Sequence, residues 1–431
     1  MQHSAPTHIV IIGSGDLGIA TYQSLARTMR AEIKKGRLQI TIVSDSKEYE
    51  YRSLLAEIIS DIMPADTLCT ALDNLAGHAK IIEAEVLAIH TKTHQIEIRL
   101  ATGETESIRY HHLVLDQPSK AISRNDHIPG FTFSLSSAAQ ASSVQEHLQL
   151  LVKQAAAARN ELIAKNILRV IVVADNEKAL GKVVAVSNYL SMLCGQYHSL
   201  KQVRPSVILV SESGNYLQAA PPVGVKKYTA AQLKAAGIDF KTGSHPARIS
   251  PEGLVMTNGS FEAATMVIFT SEIQIPVKGT EAFERTSGAI HTDPFLRVRG
   301  QSFIWCGNQS RPISNTHPAV LQKQGAIIAK NIVQAMKCQF LDLYRQKAPA
   351  HSCNFSIGKG YFSKKGITIK GAAAWYVNMV GLLLAMPTYH LKKNAIANLI
   401  GHFIWKRTKS EPWLTRTSPI THHRKLPEAA Y

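Results

Sequence analysis

Cysteine is scarce in this chain and follows no pattern. Its five cysteines (Cys69, Cys194, Cys306, Cys338 and Cys353) show neither CxxC spacing nor an even framework, which argues against a disulfide scaffold, a zinc site or a CxxC redox pair. A reducing, cytoplasm-facing location follows as the expectation. The opening, MQHSAPTHIVIIG, lacks a basic segment followed by an apolar run and a cleavage site, so no export signal is expected. Long apolar runs are also missing. The longest, Gly371 to Met386, has sixteen residues, is interrupted by Asn378 and is stopped by Pro387, whereas a spanning helix needs roughly 20 apolar residues. Histidine is plentiful at eighteen, but His422 and His423 have no partner at ligand spacing, and no metal is expected. No Ser, His, Asp arrangement can be argued from spacing, because such groups meet in space.

Acidic residues are few: 31 stand against 48 Lys and Arg, for a net charge of +17. From residue 351 onward twelve Lys or Arg face only Glu411 and Glu428, so that region supplies +10 of the total. Its basic residues interleave with aromatic and aliphatic ones, as in FIWKR and HLKKNAIANLIGHF. This pattern fits two helices lying in a lipid interface, with Lys392, Lys393, Lys406 and Arg407 at headgroup level, and not nucleic acid.

At 431 residues the chain has room for two or three domains. The first 120 residues alternate strand, helix and strand: IVIIG, a helix from Asp16 to Met29, LQITIVSDS, an apolar helix around SLLAEIISDI, a hairpin AEVLAIHTKTHQIEIRL and a strand HHLVLDQ. Near-continuous apolar strands imply a parallel sheet covered on both faces. The stretch SSVQEHLQLLVKQAAAARNELIAKN reads as one long connecting helix. The pattern then repeats, with LRVIVVAD, a helix around ALGKVVAVSNYLSML, PSVILVSES, KKYTAAQLKAAG, a hairpin-like segment and TMVIFTSE. ITIVSDS and VILVSES hold equivalent places, which implies an α/β protein with two Rossmann-like units.

Gly13, Gly15 and Gly18 form a GxGxxG turn between the first strand and the first helix. The first glycine permits the tight turn, the second lets backbone amides approach a pyrophosphate, and the third lets helix and strand pack closely. A dinucleotide is the expected guest. Its ribose acid belongs at the end of the second strand, where Ser44 holds the strict position and Asp45 comes one residue late. In the second unit VADNEKALG offers Ala174, Asn176 and Ala179 where glycines are wanted, and Asp175 reads as a helix cap that opposes an anion.

The order of these features resembles the type II NADH:quinone oxidoreductases, of the two-dinucleotide-binding-domain flavoprotein superfamily. The likeness rests on HIVIIGSGDLG, YEYRSLLAEI, IPGFTFSLSSAAQA, HTDPFLRVRGQSFIWCGN, QKQGAIIAKNI and the Trp-rich, basic C-terminal region. It implies FAD on the first unit, with Gly13, Gly15, Gly18, Asp45, Gly307, Asn308 and Gln324 as its contacts, and electron delivery to a quinone. It also implies a peripheral position on the cytoplasmic face of the inner membrane. The units expected are residues 1–125 with 285–350, residues 155–284, and a basic amphipathic region at 356–431.

The departures are specific. Asn308 replaces the aspartate of the closing motif; Asp116, Gln117 and Pro118 replace the family's alanine, threonine, glycine segment after the first sheet's strand; Ser271 and Glu272 replace the counterpart in the second unit. Gly181 stands for a glutamate, and Ala319, Lys323 and Gln324 only partly keep the paired glutamines. The second turn argues against NADH as donor. Two functions therefore stand open: an FAD oxidoreductase fed by NADH or another donor, and a non-catalytic binding or regulatory module on the same fold. A sulfide:quinone relative is disfavoured by the placing of Cys194, Cys306 and Cys338. Oligomeric state is open, a homodimer included.

Overall fold

The computed structural model describes residues 6–116, 119–122, 128–174, 177–211, 223–241, 246–270, 273–281, 283–286, 289–307, 317–345 and 350–405. The first unit comprises strands β1 (Thr7–Ile12), β2 (Leu38–Ser44), β3 (Lys80–His90), β4 (Gln95–Leu100), β5 (Thr105–Arg109) and β6 (His112–Leu115), with helix α1 (Asp16–Thr28) after β1. The second unit begins with β7 (Thr132–Ser134) and helix α2 (Ala138–Ala156). It continues through β8 (Arg169–Val173), α3 (Ala179–Cys194), β9 (Ser206–Val210), α4 (Val223–Ala235), β10 (Ile238–Lys241) and β11 (Met266–Phe269). The chain then returns to the first unit with β12 (Ile304–Cys306) and helix α5 (Pro318–Met336).

The first sheet has the order β12-β6-β1-β2-β3-β4-β5. Its first five strands are parallel, and β3, β4 and β5 form an antiparallel extension. The second sheet, β7-β11-β8-β9-β10, is parallel throughout. The near-continuous apolar strands have the physical reason anticipated. Ile9 and Ile11 enter one core beneath α1, while Val10 and Ile12 enter another on the opposite face. Val170 and Val172 of β8 likewise face the helices, whereas Ile171 and Val173 face a three-stranded hairpin sheet at Pro246–Ser250, Gly253–Met256 and Phe261–Ala263.

Helices α1 and α5 touch almost backbone to backbone. A Cβ placed on Gly325 would lie 2.8 Å from the Leu17 carbonyl and 2.9 Å from the Thr21 amide. The expected single connector helix is instead two. After α2 the chain breaks, and the Asn160 side chain caps a second helix, Glu161–Ile167, by accepting from the Ile163 amide at 2.9 Å. A side chain that satisfies an orphan amide is what allows a new helix to start there.

The region from 356 also differs from a simple membrane tail. It begins inside an antiparallel meander of β13 (His351–Ser356), β14 (Lys359–Lys364) and β15 (Ile367–Lys370). Gly358 and the pair Lys365, Gly366 make its turns at positive φ. Cys353, Phe355 and Tyr361 bury into the main core. Two helices follow, α6 (Ala372–Leu384) and α7 (Tyr389–Trp405). Asn378, the polar residue inside the apolar run, anchors α6 to the meander: its Nδ2 donates to Asn354 Oδ1 at 2.9 Å and to the Tyr361 carbonyl at 3.0 Å. Among the described residues no helix is long and apolar enough to cross a membrane.

Candidate functional site

The first glycine turn has the backbone expected of it. Gly13 lies at φ 99°, and its amide donates to the Val43 carbonyl at 2.8 Å, which ties the turn to β2. A Cβ on Gly18 would stand 2.8 Å from the Gly13 carbonyl and 3.1 Å from Ile11 Cγ2, so this glycine does permit close helix–strand packing.

Gly15 is different. The space its missing Cβ leaves open is filled by Asp116, whose Oδ2 would lie 2.6 Å from such a Cβ. Asp116 follows β6, and its amide donates to the Ile12 carbonyl at 2.9 Å. The residue is 1% exposed, and Oδ2 has no hydrogen-bond partner among the described residues. Burial, aided by the neighbouring Asp16, pushes its carboxyl up to about 7, against the pull of the Gly15, Gly18 and Leu17 amides. Asp16, in the first turn of α1, is itself part-buried and accepts from the Tyr49 hydroxyl at 2.6 Å. Burial raises its carboxyl too, while Lys178, from the start of the second unit's helix, favours its charged form. Lys178 in turn is lowered to about 8 by burial, with Asp16 and Glu177 opposing that shift.

The remaining sequence-predicted residues surround this turn unevenly. Ser44, at the end of β2, meets Ser14 Oγ at 2.9 Å, and Asp45 is exposed, 3.4 Å from the Ser44 hydroxyl. Gln324 is buried on α5 and closes on Gly307, where a Cβ would lie 2.7 Å from Gln324 Oε1. The structure therefore brings Gly307 and Gln324 together; Asn308 lies outside the described residues, as do Gln117, Pro118, Ser271, Glu272, Asp175 and Asn176. His317 caps α5 by accepting from the Ala319 amide at Nδ1, 3.2 Å away. An acceptor nitrogen needs the neutral ring, and burial, followed by Lys178, lowers this histidine to about 4.

The start of α3 is covered by the chain's own C-terminal region. Tyr361 of β14 donates its hydroxyl to Glu177, and His351 Nδ1 lies 3.3 Å from Glu177 Oε2. Burial and the nearby Cys353 thiol and Glu177 carboxylate drive the Tyr361 phenol far above its ordinary value. One turn into α3, a Cβ on Gly181 would lie 2.5 Å from the Asn354 carbonyl. Gly181 thus stands where it does because β13 crosses directly over α3. Helix α6 closes the neighbouring space, with the Tyr51 hydroxyl donating to the Leu382 carbonyl at 2.6 Å and His317 Nε2 3.8 Å from where a Cβ of Gly381 would be.

Sequence reasoning marked Asp116 as a departure but did not place its carboxylate against Gly15, because β6 and α1 meet only through the sheet. Glu177, Lys178, His351 and Tyr361 escaped it altogether; the one available signal was the pair of turns, SIGKGY and SKKGIT, that announces a meander. A pyrophosphate needs the amides at the start of α1 and the open side of Gly15. Asp116 takes both, so the pyrophosphate of FAD does not fit this turn as it is arranged here.

No protein-family model matches the sequence. In three dimensions the chain is similar to NDH2 from Plasmodium falciparum, solved in complex with NADH, with a TM-score of 0.75 over 93% of this chain and 99% of that one at 11% identity. It is also similar to the sulfide:quinone oxidoreductase of the hyperthermophilic bacterium Aquifex aeolicus, with a TM-score of 0.66 over 93% and 95% of the two chains at 15% identity. A third similar structure is an NAD-dependent persulfide reductase from A. fulgidus, with a TM-score of 0.59 over 88% and 77% at 15% identity. The chain has the two-unit Rossmann-type fold of the FAD-dependent pyridine nucleotide-disulfide oxidoreductases.

Proposed function

We propose that this chain is a membrane-surface protein of the flavin oxidoreductase superfamily whose nicotinamide seat is closed, and that it serves as a binding or regulatory module and not as an NADH:quinone oxidoreductase. The observation that carries this reading is the meander lying on the start of α3, with Tyr361 and His351 on Glu177 and the Asn354 carbonyl against Gly181. A dinucleotide phosphate at the start of α3 would have to displace buried strands and then face the Glu177 carboxylate.

The membrane assignment is supported by the C-terminal helices. Tyr376, Val380 and Leu384 recur every fourth residue along α6 and are 57%, 52% and 68% exposed; Ile396, Ile400 and Ile404 recur likewise on α7 and are 42%, 52% and 65% exposed. Two exposed apolar stripes, with Lys392 and Lys393 on α7, suit an anionic lipid interface. Lys406 and Arg407 lie outside the described residues.

A second reading is favoured by the contact of Gln324 with Gly307. It keeps FAD, takes electrons from a donor other than NADH and hands them to a quinone.

The visible absorbance of the purified full chain decides between them. The first reading expects colourless protein that added FAD and NADH leave unchanged. Yellow protein bleached only by another donor supports the second, and yellow protein bleached by NADH overturns both in favour of an NADH dehydrogenase.

A further inference from the structure

We propose that Asp116 is a built-in replacement for the nucleotide pyrophosphate on the first glycine turn, and that its carboxylate is what keeps FAD off that turn. The inference goes beyond the closed nicotinamide seat, because it concerns the other unit and names one residue. Three observations carry it. Helix α1 opens on a glycine turn with the geometry of an anion seat, yet the side that Gly15 leaves free is taken by Asp116 Oδ2. That oxygen is buried and has no hydrogen-bond partner among the described residues. The carboxylate faces the Gly15, Leu17 and Gly18 amides at the positive end of α1, where a phosphate would otherwise sit. Nor does the surrounding charge call for another anion. Asp16 already stands in the first turn of α1, held by the Tyr49 hydroxyl at 2.6 Å, and Lys178 and Arg52 favour its charged form.

A glycine at position 15 thus has a use without a ligand: any larger residue would strike the Asp116 carboxylate. An incoming pyrophosphate would meet that carboxylate at contact distance, where its atoms fill the space; above neutrality its charge, which can be relieved only by taking up a proton, adds a penalty of about tenfold near about pH 8.

The experiment is FAD titration of the full-length protein, read by quenching of flavin fluorescence and by retention of FAD on ultrafiltration. The wild type, Asp116→Ala, Asp116→Asn and the double variant Asp116→Ala with Gly15→Val are compared. At about pH 8 Asp116→Ala should bind FAD at least about tenfold more tightly than the wild type. The double variant should lose the gain, because the valine refills the space that the alanine opened. Circular dichroism reports whether each variant is folded. If Asp116→Ala does not fold, Asp116→Asn keeps the shape without the charge and should show a smaller gain. The proposal is overturned if the wild type already retains FAD as purified, if a folded Asp116→Ala or Asp116→Asn binds no better than the wild type, or if the double variant keeps the gain. None of these readouts uses NADH, so the reading of the second turn can fail independently, through NADH bleaching of the wild type.

Discussion

Replacing Asp116 by Asn should change how stability depends on pH, and in one direction only. The Asp116 carboxyl moves from an ordinary 3.8 to about 7 in the folded protein, chiefly because burial disfavours its charge. The native state therefore holds the proton more tightly than the unfolded chain does. Below the unfolded value both states are protonated and the residue costs nothing; as pH rises toward the folded value, the unfolded chain ionises freely while the native state resists. About three pKa units at 1.36 kcal/mol each set an upper bound of about 4 kcal/mol on the cost above neutrality. Asn cannot ionise, so the variant should match the wild type near about pH 4 and exceed it by up to about 4 kcal/mol near about pH 8. Glu57, raised to about 7 by its own burial, gives both proteins a shared pH dependence that cancels in the difference. Urea unfolding of the two proteins across this range measures the gap through the midpoints. Parallel curves, or an Asn variant that is weaker above neutrality, would show that the carboxylate is solvated or paired and that the reasoning about the turn is mistaken.

Three further outcomes are expected. Gly325→Ala forces a methyl group against the Leu17 carbonyl and the Thr21 amide, and thermal unfolding should register a loss of about 1–3 kcal/mol. Asn378→Leu leaves Asn354 Oδ1 and the Tyr361 carbonyl without their donor; a loss of about 1–3 kcal/mol is expected in denaturant melts, and an unchanged midpoint would mean that α6 is not anchored through this residue. Leu384→Glu combined with Ile400→Glu removes two exposed apolar anchors, each worth about 1.5–3 kcal/mol when buried. Flotation with anionic vesicles should then fall on the order of a hundredfold, and binding that is left intact would move the membrane face elsewhere.

Much of the architecture was legible in the sequence. Apolar runs such as IVIIG and VILVSES can be buried on both faces only in a covered parallel sheet, and their repetition announced two units. The glycine spacing at 13, 15 and 18 specified a tight strand-to-helix turn, because only glycine meets those steric demands. The meander at His351–Lys370 was harder to read, since its mixed polar and apolar strands alternate weakly and their meaning depends on the helix they cover. The connector reads as continuous from sequence because Asn160 acts through a cap, and a cap becomes visible only when the next helix starts.

By itself, then, the sequence determined the two-unit α/β fold, the glycine turn and the mixed apolar and basic patterning of the C-terminal helices, all of which follow from local periodicity, steric limits and composition. Only the tertiary structure decided what occupies the turns. Asp116 reaches Gly15 across more than a hundred residues because β6 lies beside β1 in the sheet. Tyr361 reaches Glu177 because the meander folds back over α3. A site of this kind is made by packing, and packing brings together residues that spacing along the chain keeps apart.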